Sequence, residues 1–169
     1  MSTDMYLHLE NIEGESEDAK LSEHKVMEIT GWSTSYEQPV SMAKTGTGPT
    51  IERLKAEPIT VSKAIDSGTN DLLTAIWGGR VIKNGWISCW RADADKGKPV
   101  EYLRINMDHI VVTTYSISGA EGDIAQEEIG LSVGRVEFIY VLQQKIGGDK
   151  GQKTADFNFI KGTYLGKNA

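Results

Sequence analysis

Apolar and polar residues alternate with a period of two near the start of the chain. Within residues 5–11, Met5, Leu7 and Leu9 are separated by more polar neighbours. This period is typical of a β-strand with one buried face. Runs of similar character recur between glycine-rich or polar turns, at residues 25–36, 59–61, 81–92, 100–108, 109–118, 126–133, 135–143 and 155–161. The pattern therefore predicts a mainly β protein.

One segment carries the signals of a helix. Thr69 is predicted to be its N-cap residue, and Asp71 places a negative charge in the first turn, where the helix dipole favours it. Gly78 and Gly79 end the helix, because glycine readily adopts the left-handed conformation of a helix C-terminus. We expect the apolar residues of this segment to share one face and to pack on the core: Leu72, Leu73, Ile76 and Trp77.

Strands joined by short turns, together with one helix, predict an antiparallel β-barrel of two packed sheets with one flanking α-helix. The chain has 169 residues, a length at which a single domain buries about 70% of the surface that it exposes when unfolded. We therefore expect one domain, spanning residues 1–169.

Several strands carry apolar residues on both faces, which a simple barrel would not require. These residues are Val136, Phe138, Tyr140 and Leu142 opposite Ile139 and Val141, and Trp86 and Trp90 opposite Ile87 and Cys89. One short helix covers only part of a barrel exterior. Two explanations remain open: a second copy of the chain covers the outward groups, or a long loop of the same chain does.

Charge and cysteine content narrow the classes of partner. The chain has 18 basic and 24 acidic residues, for a net charge of −6. This balance disfavours nucleic acid or an anionic membrane surface as the main partner. The single cysteine, Cys89, excludes an internal disulfide and lies in an apolar run, where we expect a small buried thiol. The N-terminus lacks a signal peptide and no segment is long enough to span a bilayer, so we expect a cytoplasmic protein.

Sequence motifs for catalysis or cofactor binding are weak. The three histidines, His8, His24 and His109, lie on separate segments without the close spacing of a metal site. The glycine-rich stretch 147–154 contains a Lys-Thr pair, but Gln152 stands where a phosphate-binding loop requires glycine. No nucleophile has a base close to it in sequence. We expect no enzyme activity, no metal and no cofactor.

Four short segments, in order along the chain, resemble the haemolysin-coregulated protein (Hcp) family, whose members form the tube of type VI secretion systems. The segments are Ile12-Glu13-Gly14-Glu15-Ser16 with His24 and Trp32-Ser33; Lys63-Ala64-Ile65-Asp66-Ser67-Gly68-Thr69; Tyr102-Leu103-Arg104-Ile105 with Val111-Val112-Thr113; and Glu128-Ile129-Gly130-Leu131 with Val136-Glu137-Phe138.

The resemblance implies a structural protein. Such a chain would form homohexameric rings that stack into a tube, carry small secreted effectors in the lumen, and contact sheath and spike proteins of the secretion machine. It would leave the cytoplasm through that machine, without a cleaved signal peptide.

The resemblance also implies roles for particular residues. Ser33 would face the lumen and its cargo. The long loop 40–53 would contact the next ring through Lys44, Thr45, Gly46, Thr47 and Gly48, and the predicted hairpin loop 147–153 would contribute Asp149, Lys150 and Gln152 to the subunit interface.

An alternative from another class is a monomeric β-sandwich that binds a carbohydrate or another small ligand. Trp86 and Trp90 share a parity on one strand, so their rings could form a stacking platform. Oligomeric state separates the two hypotheses directly.

Overall fold

The fold of the protein was taken from a computed structural model, which describes residues 3–18, 21–42, 48–92, 98–143 and 149–167. It contains one α-helix, α1 (Thr69–Gly78), and a 3₁₀ turn at Ser22–His24. The strands, in chain order, are β1 (Thr3–Leu9), β2 (Met27–Glu28), β3 (Gly31–Ser33), β4 (Tyr36–Glu37), β5 (Val40–Ser41), β6 (Thr50–Ile51), β7 (Lys55–Ala56), β8 (Ile59–Ala64), β9 (Val81–Ala92), β10 (Pro99–Ser118), β11 (Gln126–Gln143), β12 (Asp149–Asn158) and β13 (Thr163–Lys167).

The main sheet is antiparallel and branches at β11. Its path runs β13-β12-β11-β10-β9-β1-β2, and β8 pairs with β11 on one side and with β3 on the other. Residues 126–131 of β11 pair with β8, whereas its second half, from residue 135, pairs with β12. The mainly β, antiparallel architecture with one helix is confirmed.

The circuit from β3 through β8, β11, β10, β9 and β1 to β2 is barrel-like but is not closed by a strand pair, since β2 and β3 do not pair in the described structure. The chain itself crosses the gap. The N–H of Ile29 donates to the carbonyl of Met5 at 3.0 Å, and the N–H of Thr30 donates to that of Ser62 at 2.8 Å. This crossing explains why residues 25–36, predicted as one strand, form three short ones.

Other strand boundaries also differ from the sequence pattern. Residues 100–118, predicted as two strands, form the 20-residue β10, and residues 126–143 likewise form one strand. His109 adopts a positive φ of 53° within β10, so the strand absorbs a local irregularity without ending. By contrast, β9 has the bounds that the alternation predicted.

The core lies inside this circuit. It is formed by fully buried side chains from strands on all sides, among them Leu7, Leu9, Met27, Val61, Ile87, Ile105, Ile110 and Leu131. Leu72 and Ala75 of α1 pack on the same core. The helix ends at Gly79, which is left-handed with φ 61°, as predicted.

Two predictions for α1 are wrong. Gly68, not Thr69, occupies the N-cap position; Thr69 is buried in the first turn, where its hydroxyl accepts a hydrogen bond from the N–H of Asp66 at 3.0 Å. Trp77 is 76% exposed, because the buried stripe follows Thr69, Leu72 and Ala75 and Trp77 lies two residues beyond it, about 200° around the helix.

Candidate assembly surface

Residues 34–57 leave the barrel as a hairpin arm. Its base pairs β4 with β7, and its outer part pairs β5 with β6. The N–H of Glu57 donates to the carbonyl of Ser35, and that of Glu52 to Pro39, each at 3.0 Å. The long loop predicted at 40–53 is therefore a paired hairpin in its described parts, which can hold its shape away from the core.

The arm carries apolar side chains into water. Val40 is 52% exposed, Met42 78% and Ile51 70%. Of the residues predicted to contact the next ring, Gly48 is exposed beside β6, while Lys44, Thr45, Gly46 and Thr47 lie outside the described residues. An exposed apolar cluster on an otherwise polar arm favours contact with another protein surface.

An apolar groove of about 270 Å³ lies at the base of the arm. The arm supplies Tyr36 and Leu54 to its lining, and the sheet supplies Phe138, Phe157, Tyr164 and Leu165. Tyr36 also stacks on Phe159, with ring centroids 6.3 Å apart. The groove therefore lies between the arm and the sheet, which contact each other beside it through Tyr36 and Phe159.

Strand β13 forms one rim of this groove. It pairs only with β12 among the described strands, so its other edge offers unpaired backbone groups. Tyr164 is 78% and Leu165 67% exposed, and as neighbours on a strand they point to opposite faces. Both faces of this sheet edge are thus apolar, which is unusual for an edge that remains in water.

Ser33 is exposed at the end of β3, where it pairs with Thr60 of β8. Its neighbour Trp32 packs against the core. The strand therefore presents Ser33 to solvent on the side of the barrel circuit opposite to the core.

A family model described as "Type VI secretion system effector, Hcp" matches residues 6–140, which is most of the chain. The chain belongs to the Hcp family. The resemblance drawn from the short sequence segments is confirmed, and the protein is a type VI secretion Hcp protein.

Similarity to individual Hcp proteins extends over nearly the full chain. Protein hcp1 of Pseudomonas aeruginosa is 26% identical over 152 residues, covering 89% of this chain and 91% of its own. The crystal structure of Hcp1 from Salmonella typhimurium is 25% identical with a TM-score of 0.77, covering 98% and 100%. A structure of a type six secretion system protein reaches a TM-score of 0.86 at 23% identity, covering 97% and 100%.

The predicted interface loop of this Hcp protein is partly strand. Asp149, Lys150 and Gln152 belong to β12, and Val141 pairs with Gln152. Of the hairpin loop predicted over 147–153, residues 149–153 are strand and pair with β11, so that part of the prediction is wrong; residues 147 and 148 lie outside the described residues. Gln152 is exposed.

Trp86 and Trp90 are covered by the protein's own chain. Both indoles are half-buried against a small cluster of Tyr6, Leu21 and Val26. On β9, Leu21 and Val26 of the same chain cover part of the outer face beside the two indoles, so the protein's own chain supplies at least part of the cover there. This arrangement also argues against an open stacking platform for sugars at these residues.

The remaining candidate features of this Hcp protein are its single cysteine, a metal site and a membrane-spanning helix. Cys89 is buried, and burial raises the pKa of its thiol, the opposite of what a nucleophile requires. No group of three or more metal-ligating side chains occurs in the described ranges. Within the same ranges, no helix has the length and apolarity to cross a membrane.

Sequence reasoning missed the groove at the base of the arm. Its lining comes from β11, β12, β13 and two positions of the arm, which are far apart in sequence. The only local signal was the pair Tyr164 and Leu165 between polar and glycine residues near the end of the chain.

Proposed function

We propose that this Hcp protein is the structural subunit of a type VI secretion inner tube. Six copies form a ring, rings stack, and small secreted effectors occupy the lumen. The subunit leaves the cytoplasm through the machine without a cleaved signal. One observation carries the proposal: large apolar side chains on the arm and on the β13 edge remain 67–78% exposed at Met42, Ile51, Tyr164 and Leu165, where isolated proteins seldom place them together.

Ring closure by identical subunits requires two different surfaces that fit one another, because each subunit contacts its neighbours head to tail. The groove and the β13 edge supply one apolar surface. A second lies on other elements, where Trp77 at the end of α1 is 76% exposed and Val81 at the start of β9 is 55% exposed. We assign both to contacts between subunits of a ring, and we assign Asp149, Lys150 and Gln152 at the start of β12 to the same contacts.

The arm is assigned to contacts between rings. Its apolar residues belong to the outer strands β5 and β6, and its base is fixed to the barrel by the stack of Tyr36 on Phe159. A fixed base with an apolar outer part suits a contact with a surface beyond the ring. Lys44, Thr45, Gly46, Thr47 and Gly48 are assigned to the same contact.

Ser33 is assigned to the lumen wall. It is exposed on a short strand beside β8, and a small hydroxyl there leaves the lumen surface polar without narrowing it. Sheath and spike proteins are the further partners of the assembled tube. The role is structural, with no catalytic step.

The decisive experiment measures the mass of the purified chain at micromolar concentration by native mass spectrometry, with negative-stain images of the same sample. We expect a species of six times the 18.6 kDa chain mass and annular particles. A stable interface of this kind should bury roughly 2,000 Å² or more in total. A monodisperse monomer without annular particles would contradict the proposal.

A further inference from the structure

Two of the three histidines converge on one tryptophan on the outer face of the sheet. The ring of His8, on β1, stacks on Trp86 with centroids 5.2 Å apart. His24, in the 3₁₀ turn, lies edge-on to both rings, 5.8 Å from Trp86 and 6.0 Å from His8. The guanidinium of Arg104 lies 4.4 Å from the centroid of the same indole. One permanent cation and two titratable groups therefore surround Trp86.

The ring of His8 ties the 3₁₀ turn to β1. It hydrogen-bonds to the backbone of His24, while its Nδ1 is buried and has no hydrogen-bond partner among the described atoms. A neutral imidazole satisfies this environment, because one nitrogen carries the proton for the bond and the other needs none. A second proton would have to reside on Nδ1, where nothing accepts it.

Charges around His8 mostly oppose its protonation. His24 and Arg104 would repel an imidazolium at His8, and Glu10 would attract it. Glu101 already accepts hydrogen bonds from Nε and Nη2 of Arg104, at 2.9 and 2.8 Å. Burial is the largest influence and lowers the pKa of His8 below its ordinary value, against the hydrogen bond to His24, which acts in the other direction.

The turn that His8 holds covers the apolar outer face. Leu21 and Val26 flank the turn and pack with Tyr6 beneath Trp86 and Trp90. The strand-like contacts on either side are few: the N–H of Gly14 donates to Lys25 at 2.8 Å, and that of Ser16 to Val26 at 3.2 Å. Tyr6 also donates to the carboxylate of Asp18. The turn is thus attached at several points, and the attachment through His8 loses its fit when the ring takes up a proton on acidification.

We propose that His8 is a pH-sensitive latch: its neutral ring holds the turn at residues 21–26 over Trp86 and Trp90, and its protonation releases the turn and uncovers the two indoles. The latch operates within one chain. It therefore does not depend on the tube function, and ring assembly can fail without affecting it.

The direction of the pH effect follows from proton linkage. The unfolded or released histidine binds its proton around pH 6.5, whereas the docked ring binds one only at lower pH. The free energy by which His8 stabilises the docked turn is therefore fully present above pH 6.5. It is lost as the pH falls toward the lower pKa of the docked ring. Release on acidification, and not on alkalinisation, is the expected behaviour.

The test compares tryptophan emission of the full chain at about pH 7.5 and about pH 5, the range in which histidine charge changes. We expect the wild-type emission maximum to shift to longer wavelength on acidification. His8→Gln retains a donor for the His24 backbone but cannot be protonated, so its shift should be absent. His109→Asn is the matched control, since His109 is exposed on another part of β10 and asparagine tolerates its positive φ; it should behave as wild type.

Two further measurements keep the outcome decisive. If His8→Gln does not fold, as judged by circular dichroism at neutral pH, His24→Gln takes its place; removing that positive neighbour should raise the pKa of His8 toward its ordinary value and make the acid-induced emission shift smaller than in wild type. A nuclear magnetic resonance titration reads the His8 ring directly. Titration of His8 at or above pH 6.5, or equal shifts in wild type and His8→Gln, would overturn the latch.

Discussion

Lys63 is a fully buried cation whose charge is matched by two carboxylates. Its Nζ lies 2.8 Å from Asp66 and also pairs with Glu127, whose side chain is fully buried as well. Tyr115 donates to the second oxygen of Glu127, and the hydroxyl of Thr69 donates to the first at 3.2 Å. These contacts join β8, β10 and β11 to the first turn of α1. Within residues 63–69, they give Lys63, Asp66 and Thr69 a structural role.

Replacing Lys63 by Met should destabilise the fold strongly, because Glu127 would remain buried without its cation. We expect the free energy of unfolding in urea to fall by about 3–5 kcal/mol, the usual effect of breaking a buried pair. Lys25→Met is the matched control: Lys25 pairs with Glu13 at 2.7 Å, but the two side chains are 60% and 65% exposed, so a change below about 0.5 kcal/mol is expected. Equal losses in both variants would show that burial of the pair is unimportant.

In the arm, the structure predicted from the sequence differs from the observed one. Glycine, proline and polar residues at 39–53 predicted a loop, yet within that range β5 pairs with β6, and the pair β4–β7 flanks it. Pairing without burial leaves the apolar residues of these strands in water. An element of this kind contributes little to the core and is free to serve contacts with other molecules.

Met42→Asp should weaken tube formation while rings remain intact, because it places a charge in the apolar outer part of the arm. We expect fewer and shorter stacks by electron microscopy, with an unchanged ring mass by native mass spectrometry. Ser41→Asp introduces the same charge at the exposed preceding position, on the opposite face of the strand, and should have a smaller effect. Equal loss of stacking in both variants would indicate general repulsion and remove Met42 from the contact.

At the scale of the whole molecule, apolar surface is distributed unevenly. The outer face at β1 and β9 is partly covered by Leu21 and Val26. The same face continues onto β10, β11 and β12 as a polar network, in which Arg135 pairs with Asp108 at 2.9 Å and also with Asp156. The groove beside β13 has neither kind of cover among the described residues, so it is one of the exposed apolar surfaces that we propose for contacts between subunits.

Leu165→Asp should dissociate the ring without unfolding the subunit, because Leu165 is 67% exposed in one copy and its charge would be buried only on assembly. We expect native mass spectrometry to show mainly monomer, while the circular dichroism spectrum and urea midpoint stay close to wild type. Ile117→Asp, at a 50% exposed residue near the far end of β10, is the control and should leave the ring whole. If the ring survives Leu165→Asp but not Ile117→Asp, the subunit interface does not include the groove and the assignment is wrong.

The sequence by itself determined the local elements and the family. Alternation with a period of two located β1 and β9, and the two glycines ended α1 at the right position. These features depend on contacts between residues that are close along the chain, so a local pattern is sufficient to predict them. The ordered family segments depend on residue identity and needed no coordinates.

Only the tertiary structure decided what covers each apolar face. It carried the chain across the gap between β2 and β3 at residues 29 and 30, buried Lys63 against Glu127, exposed Trp77, and placed Leu21 and Val26 against Trp86 and Trp90. In each case the contacting groups are distant in sequence or depend on helix rotation. A pattern shows which side chains avoid water, but the group that shields them is set by the packing of the whole chain.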